Sequence, residues 1–116
     1  MINVNGKQVA VLGLGRSGFA AAKLLSLHGA QVVVLDVKSP EKLSAWIEKA
    51  KGLAHTRLAL GGGHASEITS SDLVVTSPGV PFGHALLEEA RQKGIPVVGE
   101  MELAYGYCAA PVAASY

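Results

Sequence analysis

Short apolar runs alternate along the chain with longer amphipathic stretches. The runs are rich in β-branched residues and predict strands near residues 7–12, 31–35, 56–60, 72–76 and 95–98, with a further candidate at 111–114. The amphipathic stretches predict helices at 16–28, 40–51 and 84–93, and a fourth from about Glu100 to Tyr107. Strands that alternate with helices are typical of βα units, so the pattern predicts an α/β protein, a three-layer sandwich around a parallel sheet of five to six strands.

Local signals mark the ends of these helices. Pro40 follows Ser39, a candidate N-cap, and a glycine follows each of the first three predicted helices, at positions 29, 52 and 94. The segment Gly61-Gly62-Gly63-His64 is predicted to be a flexible connection rather than a phosphate loop. No Lys-Ser/Thr pair follows it, and no clean helix pattern begins there.

A glycine motif, Gly13-Leu14-Gly15-Arg16-Ser17-Gly18, lies between the first predicted strand and the first predicted helix. Gly13 permits a sharp exit from the strand, Gly15 lets a pyrophosphate approach the backbone, and Gly18 allows close packing of the helix on the strand. Asp36 ends the second strand, where an acid of a dinucleotide site would meet a ribose hydroxyl. Because free N–H groups and the helix dipole both favour anions, the motif predicts a site for a nucleotide phosphate.

The turn Ser77-Pro78-Gly79 follows another buried run, at 72–76. Right-handed crossovers bring the loops after Leu12, Leu35 and Thr76 to one edge of the sheet, where a ligand could contact all three. The Ser77 hydroxyl and the Gly79 N–H could meet that ligand. From spacing alone, a rigid turn that only reverses the chain is an equal alternative.

Composition narrows the classes of function. The 116 residues suffice for one domain, and a net charge of +1 gives no nucleic-acid bias. A single cysteine, Cys108, and the absence of a long apolar segment or signal peptide favour a soluble, cytoplasmic protein. The four histidines share no metal-ligand spacing and no catalytic set can be argued, so no metal site and no catalytic residue are predicted.

Taken together, the motifs resemble the N-terminal domain of the Mur ligases. The resemblance rests on the glycine motif, Leu35-Asp36, the run from Asp72 to Pro81, and Gly94-Ile95-Pro96-Val97-Val98-Gly99-Glu100-Met101-Glu102-Leu103. Within that family the chain is most similar to the members that add D-glutamate to UDP-N-acetylmuramoyl-L-alanine in peptidoglycan biosynthesis.

The resemblance implies a Rossmann-like domain over residues 1–110 that holds the UDP part of the substrate. Residues 111–116 would begin the linker to a central domain that binds ATP, and a C-terminal domain would complete the enzyme. ATP and Mg²⁺ would serve that full-length, ADP-forming ligase, whereas this chain by itself is expected to be inactive and to hold no cofactor. Its expected partners are UDP-N-acetylmuramoyl-L-alanine and the rest of its own polypeptide, with no nucleic acid and no membrane.

Carried over by position, the resemblance implies three groups of UDP-binding residues. These are Gly15, Arg16, Ser17 and Gly18 at the diphosphate, Asp36, Val37 and Lys38 beside the uracil, and Ser77, Pro78 and Gly79 on the opposite wall. Val37 and Lys38 depart from the hydroxyl residue and arginine that are common in the family. Arg16 stands where an apolar residue can occur, and both an inward and an outward direction of its side chain stay open.

Two other functions remain as alternatives from the sequence. A small NAD-binding domain of a dehydrogenase would use Gly13, Gly15, Gly18 and Asp36 equally well, but it does not require the Ser77 turn or the segment after Gly99. A nucleotide-sensing regulatory module would bind without chemistry.

Overall fold

A computed structural model of the chain describes residues 3–61, 65–77 and 84–103. Its five strands are β1 (Gln8–Leu12), β2 (Gln31–Asp36), β3 (Thr56–Leu60), β4 (Leu73–Thr76) and β5 (Val97–Gly99). They form one parallel sheet in the order β3-β2-β1-β4-β5. The predicted parallel α/β sheet is confirmed with five strands, and the candidate strand at 111–114 lies outside the described residues.

Helices connect these strands. They are α1 (Arg16–Leu27), α2 (Ser44–Ala50), α3 (Ala65–Thr69) and α4 (Ala85–Gln92); a 3-10 turn (Pro40–Leu43) precedes α2, and residues 100–103 are helical after β5. None of the described helices is both long enough and apolar enough to span a bilayer.

The predicted helices differ from the observed ones in three places. The single helix predicted at 40–51 is a 3-10 turn followed by α2, and Ser39 makes no side-chain capping hydrogen bond. Helix α3 was not predicted, because five residues with one buried side chain, Ile68, are too short to show a helical period. The helix predicted to run on to Tyr107 is helical at 100–103, and the rest of it lies outside the described residues.

The core has two halves, one on each face of the sheet. Successive strand side chains point to opposite faces, so Val9 and Val11 of β1 pack with Leu25 of α1, while Ala10 packs on the other face with Leu87 of α4. Strands β1 and β2 are thereby buried on both sides, apart from their first residues and Asp36, and the predicted three-layer arrangement is confirmed.

Strand β5 begins two residues later than predicted. Pro96 has no N–H to give to a ladder, but its carbonyl accepts a hydrogen bond from the Val74 N–H at 3.0 Å, and the strand proper runs from Val97. In this register Gly99 pairs with Thr76 of β4, and Thr76 pairs with Leu12 of β1. The carboxyl ends of three adjacent strands therefore lie level at one edge of the sheet.

Candidate functional site

The site lies at this carboxyl edge of the sheet, over its middle strands. Leu35 of β2 pairs with Leu12 of β1, which in turn pairs with Thr76 of β4. The segments that follow these strands, beginning at Val37, Gly13 and Ser77, therefore leave neighbouring strands, which lie about 4.8 Å apart in a sheet. The expected meeting of the three loops is confirmed for the part of the chain that the structure describes.

The glycine turn is built as its sequence predicts at two of its three glycines. Gly13 has a φ of 99°, a conformation that side chains rarely allow, and its N–H donates to the Leu35 carbonyl at 2.6 Å. At Gly18 a Cβ would lie 1.7 Å from the Gly13 carbonyl oxygen. Glycine at position 13 lets the strand turn, and glycine at position 18 lets α1 pack directly on that turn.

Gly15 differs from both, since neither its backbone nor its surroundings require glycine. Its φ of −172° is extended, and a Cβ there would have no atom of the described residues within 4 Å. The third glycine therefore faces open space at the start of α1. That space is what a phosphate group close to the backbone would occupy, but binding there stays a prediction.

The N-terminus of α1 favours an anion. Gly15 is its N-cap, no side chain of the described residues caps it, and its first turn holds no acidic residue. The first N–H groups of an α-helix have no partner within the helix, and they carry the positive end of its dipole. Arg16 is exposed and makes no ion pair among the described residues, while Ser17 is half-buried.

Asp36 holds the glycine turn and the loop after β2 together. Its Oδ2 accepts a hydrogen bond from the Leu14 N–H at 2.8 Å, and its Oδ1 accepts one from the Lys38 N–H at 2.9 Å. The spacing of acid and glycines predicted a carboxylate beside the turn but not these two contacts. Next to it Val37 is 65% exposed, and Lys38 is also exposed.

On the other side of the turn, the edge opens into a cavity of about 430 Å³. Ser77, half-buried, lines it together with Gly99 and Glu100; the Glu100 Oε2 is buried and has no hydrogen-bond partner among the residues that the structure describes. Pro78 and Gly79, the other two residues predicted for this wall, lie outside the described residues.

Polar side chains elsewhere have structural roles. The His84 ring was not predicted as a cap, yet its Nδ1 accepts a hydrogen bond from the Leu86 N–H at 3.1 Å and so caps α4. At the opposite edge of the sheet Arg57 donates two hydrogen bonds to Glu67, at 2.5 and 2.6 Å, which raise the pKa of Arg57. Within the described ranges, no group of three or more His, Cys, Asp or Glu residues could hold a metal ion.

Comparison with known proteins assigns this arrangement to a family. The family described as Mur ligase MurD-like, N-terminal domain, matches residues 7–99. A UDP-N-acetylmuramoylalanine–D-glutamate ligase from Desulfosudis oleivorans is 44% identical over 113 residues, which cover 97% of this chain and 24% of the relative. The chain spans about a quarter of the length of the curated relatives it matches.

Solved structures share the fold. A pseudomurein peptide ligase type C from Methanothermus fervidus has a TM-score of 0.67 at 23% identity, covering 84% of this chain and 20% of that one. A shikimate dehydrogenase from Aquifex aeolicus has a TM-score of 0.58 at 20% identity, covering 84% of this chain and 44% of that one. At such identities the likeness concerns the Rossmann-like fold alone, whereas the match over residues 7–99 identifies the relatives. The chain belongs to the family of MurD-like N-terminal domains of the Mur ligases.

Proposed function

We propose that the chain is the UDP-substrate-binding domain of an ATP-dependent ligase that adds D-glutamate to UDP-N-acetylmuramoyl-L-alanine in peptidoglycan biosynthesis. The observation that carries the proposal is the glycine turn at the uncapped start of α1, in a chain whose relatives are named as this ligase. The remaining domains of such an enzyme would complete the reaction.

The diphosphate is assigned to the start of α1. Backbone N–H groups at Arg16, Ser17 and Gly18 would donate to its oxygens, and the open space at Gly15 would admit it. Charge supports the assignment, because α3 and α4 each have a glutamate in the first turn, whereas α1 begins with Arg16 and has no acid there.

The uracil is assigned to the loop after β2. The exposed Val37 side chain offers an apolar surface to one face of the base, and the Lys38 side chain offers a cation where the family commonly has arginine. Ser77 would form the opposite wall with Pro78 and Gly79. Since valine has no hydroxyl, hydrogen bonds to the base from position 37 would have to come from the main chain.

In the full-length enzyme ATP would supply the phosphoryl group that activates the substrate carboxylate, and Mg²⁺ would neutralise the charge on its phosphates. The described residues of this chain contain no group of three or more His, Cys, Asp or Glu residues that could hold a metal ion. The proposed role of these residues is to bind and orient the nucleotide end of the substrate.

A titration of the chain with UDP and, separately, with NAD tests the proposal. We expect UDP to bind, and we expect NAD added to the UDP complex not to displace the bound UDP. Gly15→Val should abolish UDP binding by filling the space in front of the N–H groups. Gly52→Val is the matched control, since a Cβ there makes only an ordinary contact of 3.7 Å with the Lys49 carbonyl.

Two results would contradict the proposal. Binding of NAD without any response to UDP would favour the dehydrogenase alternative. Unchanged UDP affinity in Gly15→Val, with the control also unchanged, would mean that UDP binds elsewhere on the chain.

A further inference from the structure

The carboxylate of Asp36 is occupied by the protein's own main chain. One oxygen accepts the Leu14 N–H at 2.8 Å and the other accepts the Lys38 N–H at 2.9 Å. These two N–H groups belong to different segments, the glycine turn and the loop after β2. A single half-buried side chain therefore joins the two segments assigned to the diphosphate and to the uracil.

Each of the two segments has a further main-chain tie. The Gly13 N–H donates to the Leu35 carbonyl at 2.6 Å, next to the Asp36 contact with the turn. The Lys38 carbonyl accepts from the Gly61 N–H at 3.2 Å, which connects the loop to the end of β3. Asp36 lies between these two main-chain hydrogen bonds. Loss of its oxygens would therefore let the turn and the loop move apart, while both main-chain hydrogen bonds could remain.

We propose that Asp36 is a positioning residue of the UDP site, an inference that rests on the proposed function. Its carboxylate fixes the distance between the N–H groups at the start of α1 and the loop beside the uracil. Both oxygens accept hydrogen bonds from backbone N–H groups, and the carboxylate is assigned this positioning role and no contact with the ribose hydroxyls. Asp36 should therefore contribute nothing to any preference of the site for UDP over 2′-deoxy-UDP.

A purely electrostatic role and a positioning role of Asp36 predict opposite changes in UDP affinity for Asp36→Asn. If Asp36 were only a negative charge near an anionic ligand, its neutralisation would raise the affinity for UDP. Asparagine has one acceptor oxygen, and its NH₂ group faces an N–H where the second oxygen was, so one of the two contacts is lost. We expect UDP affinity to fall about tenfold, which corresponds to about 1.4 kcal/mol.

Asp72→Asn is the matched control. Asp72 Oδ2 accepts the Gln8 N–H at 2.9 Å, so this variant loses the same charge, while the amide oxygen of asparagine can still accept that single N–H. The substitution lies at the opposite edge of the sheet, where β1 begins. Both variants are measured for the thermal unfolding midpoint and for UDP and 2′-deoxy-UDP affinity. Asp72→Asn should keep the wild-type affinity for UDP.

The outcomes separate this inference from the proposed function. Wild-type or higher UDP affinity in Asp36→Asn overturns the positioning role alone. A strong wild-type preference for UDP over 2′-deoxy-UDP that Asp36→Asn loses would identify a ribose contact and also overturn it. If the wild-type chain binds no UDP, the proposed function fails, and the positioning role falls with it.

A measurement on the wild-type chain covers the case in which Asp36→Asn does not fold. Amide hydrogen exchange should be slower at Leu14 and Lys38, which donate to Asp36, than at Arg16 and Ser17 at the uncapped start of α1. Equal exchange rates at the four amides would overturn the inference without any variant.

Discussion

Gly18→Ala tests whether contact between α1 and the glycine turn holds the site in shape. The new Cβ would lie 1.7 Å from the Gly13 carbonyl oxygen and 2.8 Å from its carbonyl carbon, where ordinary contacts are 3.4–4 Å. Both atoms belong to the main chain, and Gly13 is tied to Leu35, so no side chain can rotate to make room. Helix α1 would have to move outward by roughly 1.5 Å, and contacts of its buried residues with the sheet would be lost.

The size of the effect follows from two opposing contributions. Overpacking against rigid atoms costs about 3 kcal/mol at the upper end of its usual range. Alanine in place of glycine inside a helix returns about 1 kcal/mol. The free energy of unfolding should therefore fall by about 2 kcal/mol, and the unfolding midpoint of a chain of this length should fall by roughly 6–10 °C.

Gly15→Ala is the matched control, three residues away in the same turn. Its backbone is extended and a Cβ there meets no atom within 4 Å, so loss of a glycine N-cap should cost less than about 1 kcal/mol. The methyl group would, however, stand where the phosphate is proposed to approach. Gly15→Ala should thus weaken UDP binding in a stable protein, whereas Gly18→Ala should destabilise the protein itself.

Urea denaturation followed by circular dichroism gives the free energy of unfolding of each variant. If Gly18→Ala unfolds within about 0.5 kcal/mol of the wild type, a difference typical of surface substitutions, α1 can move off the turn at no cost. That result would refute the claim that packing of Gly18 against Gly13 holds α1 and the glycine turn in place.

Two further predictions concern stability away from the site. His84→Ala should lower the free energy of unfolding, measured by urea denaturation, by about 1 kcal/mol because α4 loses its N-cap. Asparagine is a good N-cap residue, so His84→Asn should keep most of the wild-type stability. If His84→Asn is as unstable as His84→Ala, His84 does not act as a cap. Glu67→Gln should cost less than about 1 kcal/mol, since the Arg57 side chain is 59% exposed, and less again in high salt. Because the hydrogen bonds to Glu67 raise the pKa of Arg57 above its usual value, Arg57 stays charged in the folded and unfolded states through neutral pH, and its contribution to stability is lost only at strongly alkaline pH. A cost for Glu67→Gln that grows between mildly acidic and mildly alkaline pH would contradict this assignment.

The middle of the sheet could be predicted from sequence because its signal is strong and local. Strands β1 and β2 are apolar runs buried on both faces, and a glycine follows directly after β1 and after the end of α1. The shorter elements carry weaker signals. Helix α3 has five residues, and the apolar run of β5 includes Ile95 and Pro96, which precede the strand itself.

The candidate site was predictable in its residue types and not in its contacts. The sequence placed Gly13 and Gly18 in one turn, since a glycine motif between strand and helix needs only local sequence, and it placed Asp36 at the end of the second strand. That Asp36 accepts N–H groups from both segments depends on the pairing of β1 with β2, which brings together residues 22 positions apart in the chain. His84 as a cap was missed because histidine is not among the usual N-cap residues.

The contacts that hold the glycine turn in place indicate which groups would supply the affinity for a phosphate. The Gly13 N–H is hydrogen-bonded to Leu35, the Leu14 N–H is hydrogen-bonded to Asp36, and Gly18 packs against Gly13. The turn is therefore held in its conformation before a ligand binds. Binding to such a turn loses little conformational entropy, whereas ordering an exposed, flexible arginine costs about 0.5–1.5 kcal/mol. We therefore attribute the proposed affinity for phosphate chiefly to the main-chain N–H groups at the start of α1. Arg16 would add a smaller net contribution, because the entropy lost when its side chain becomes ordered offsets part of its attraction to the phosphate.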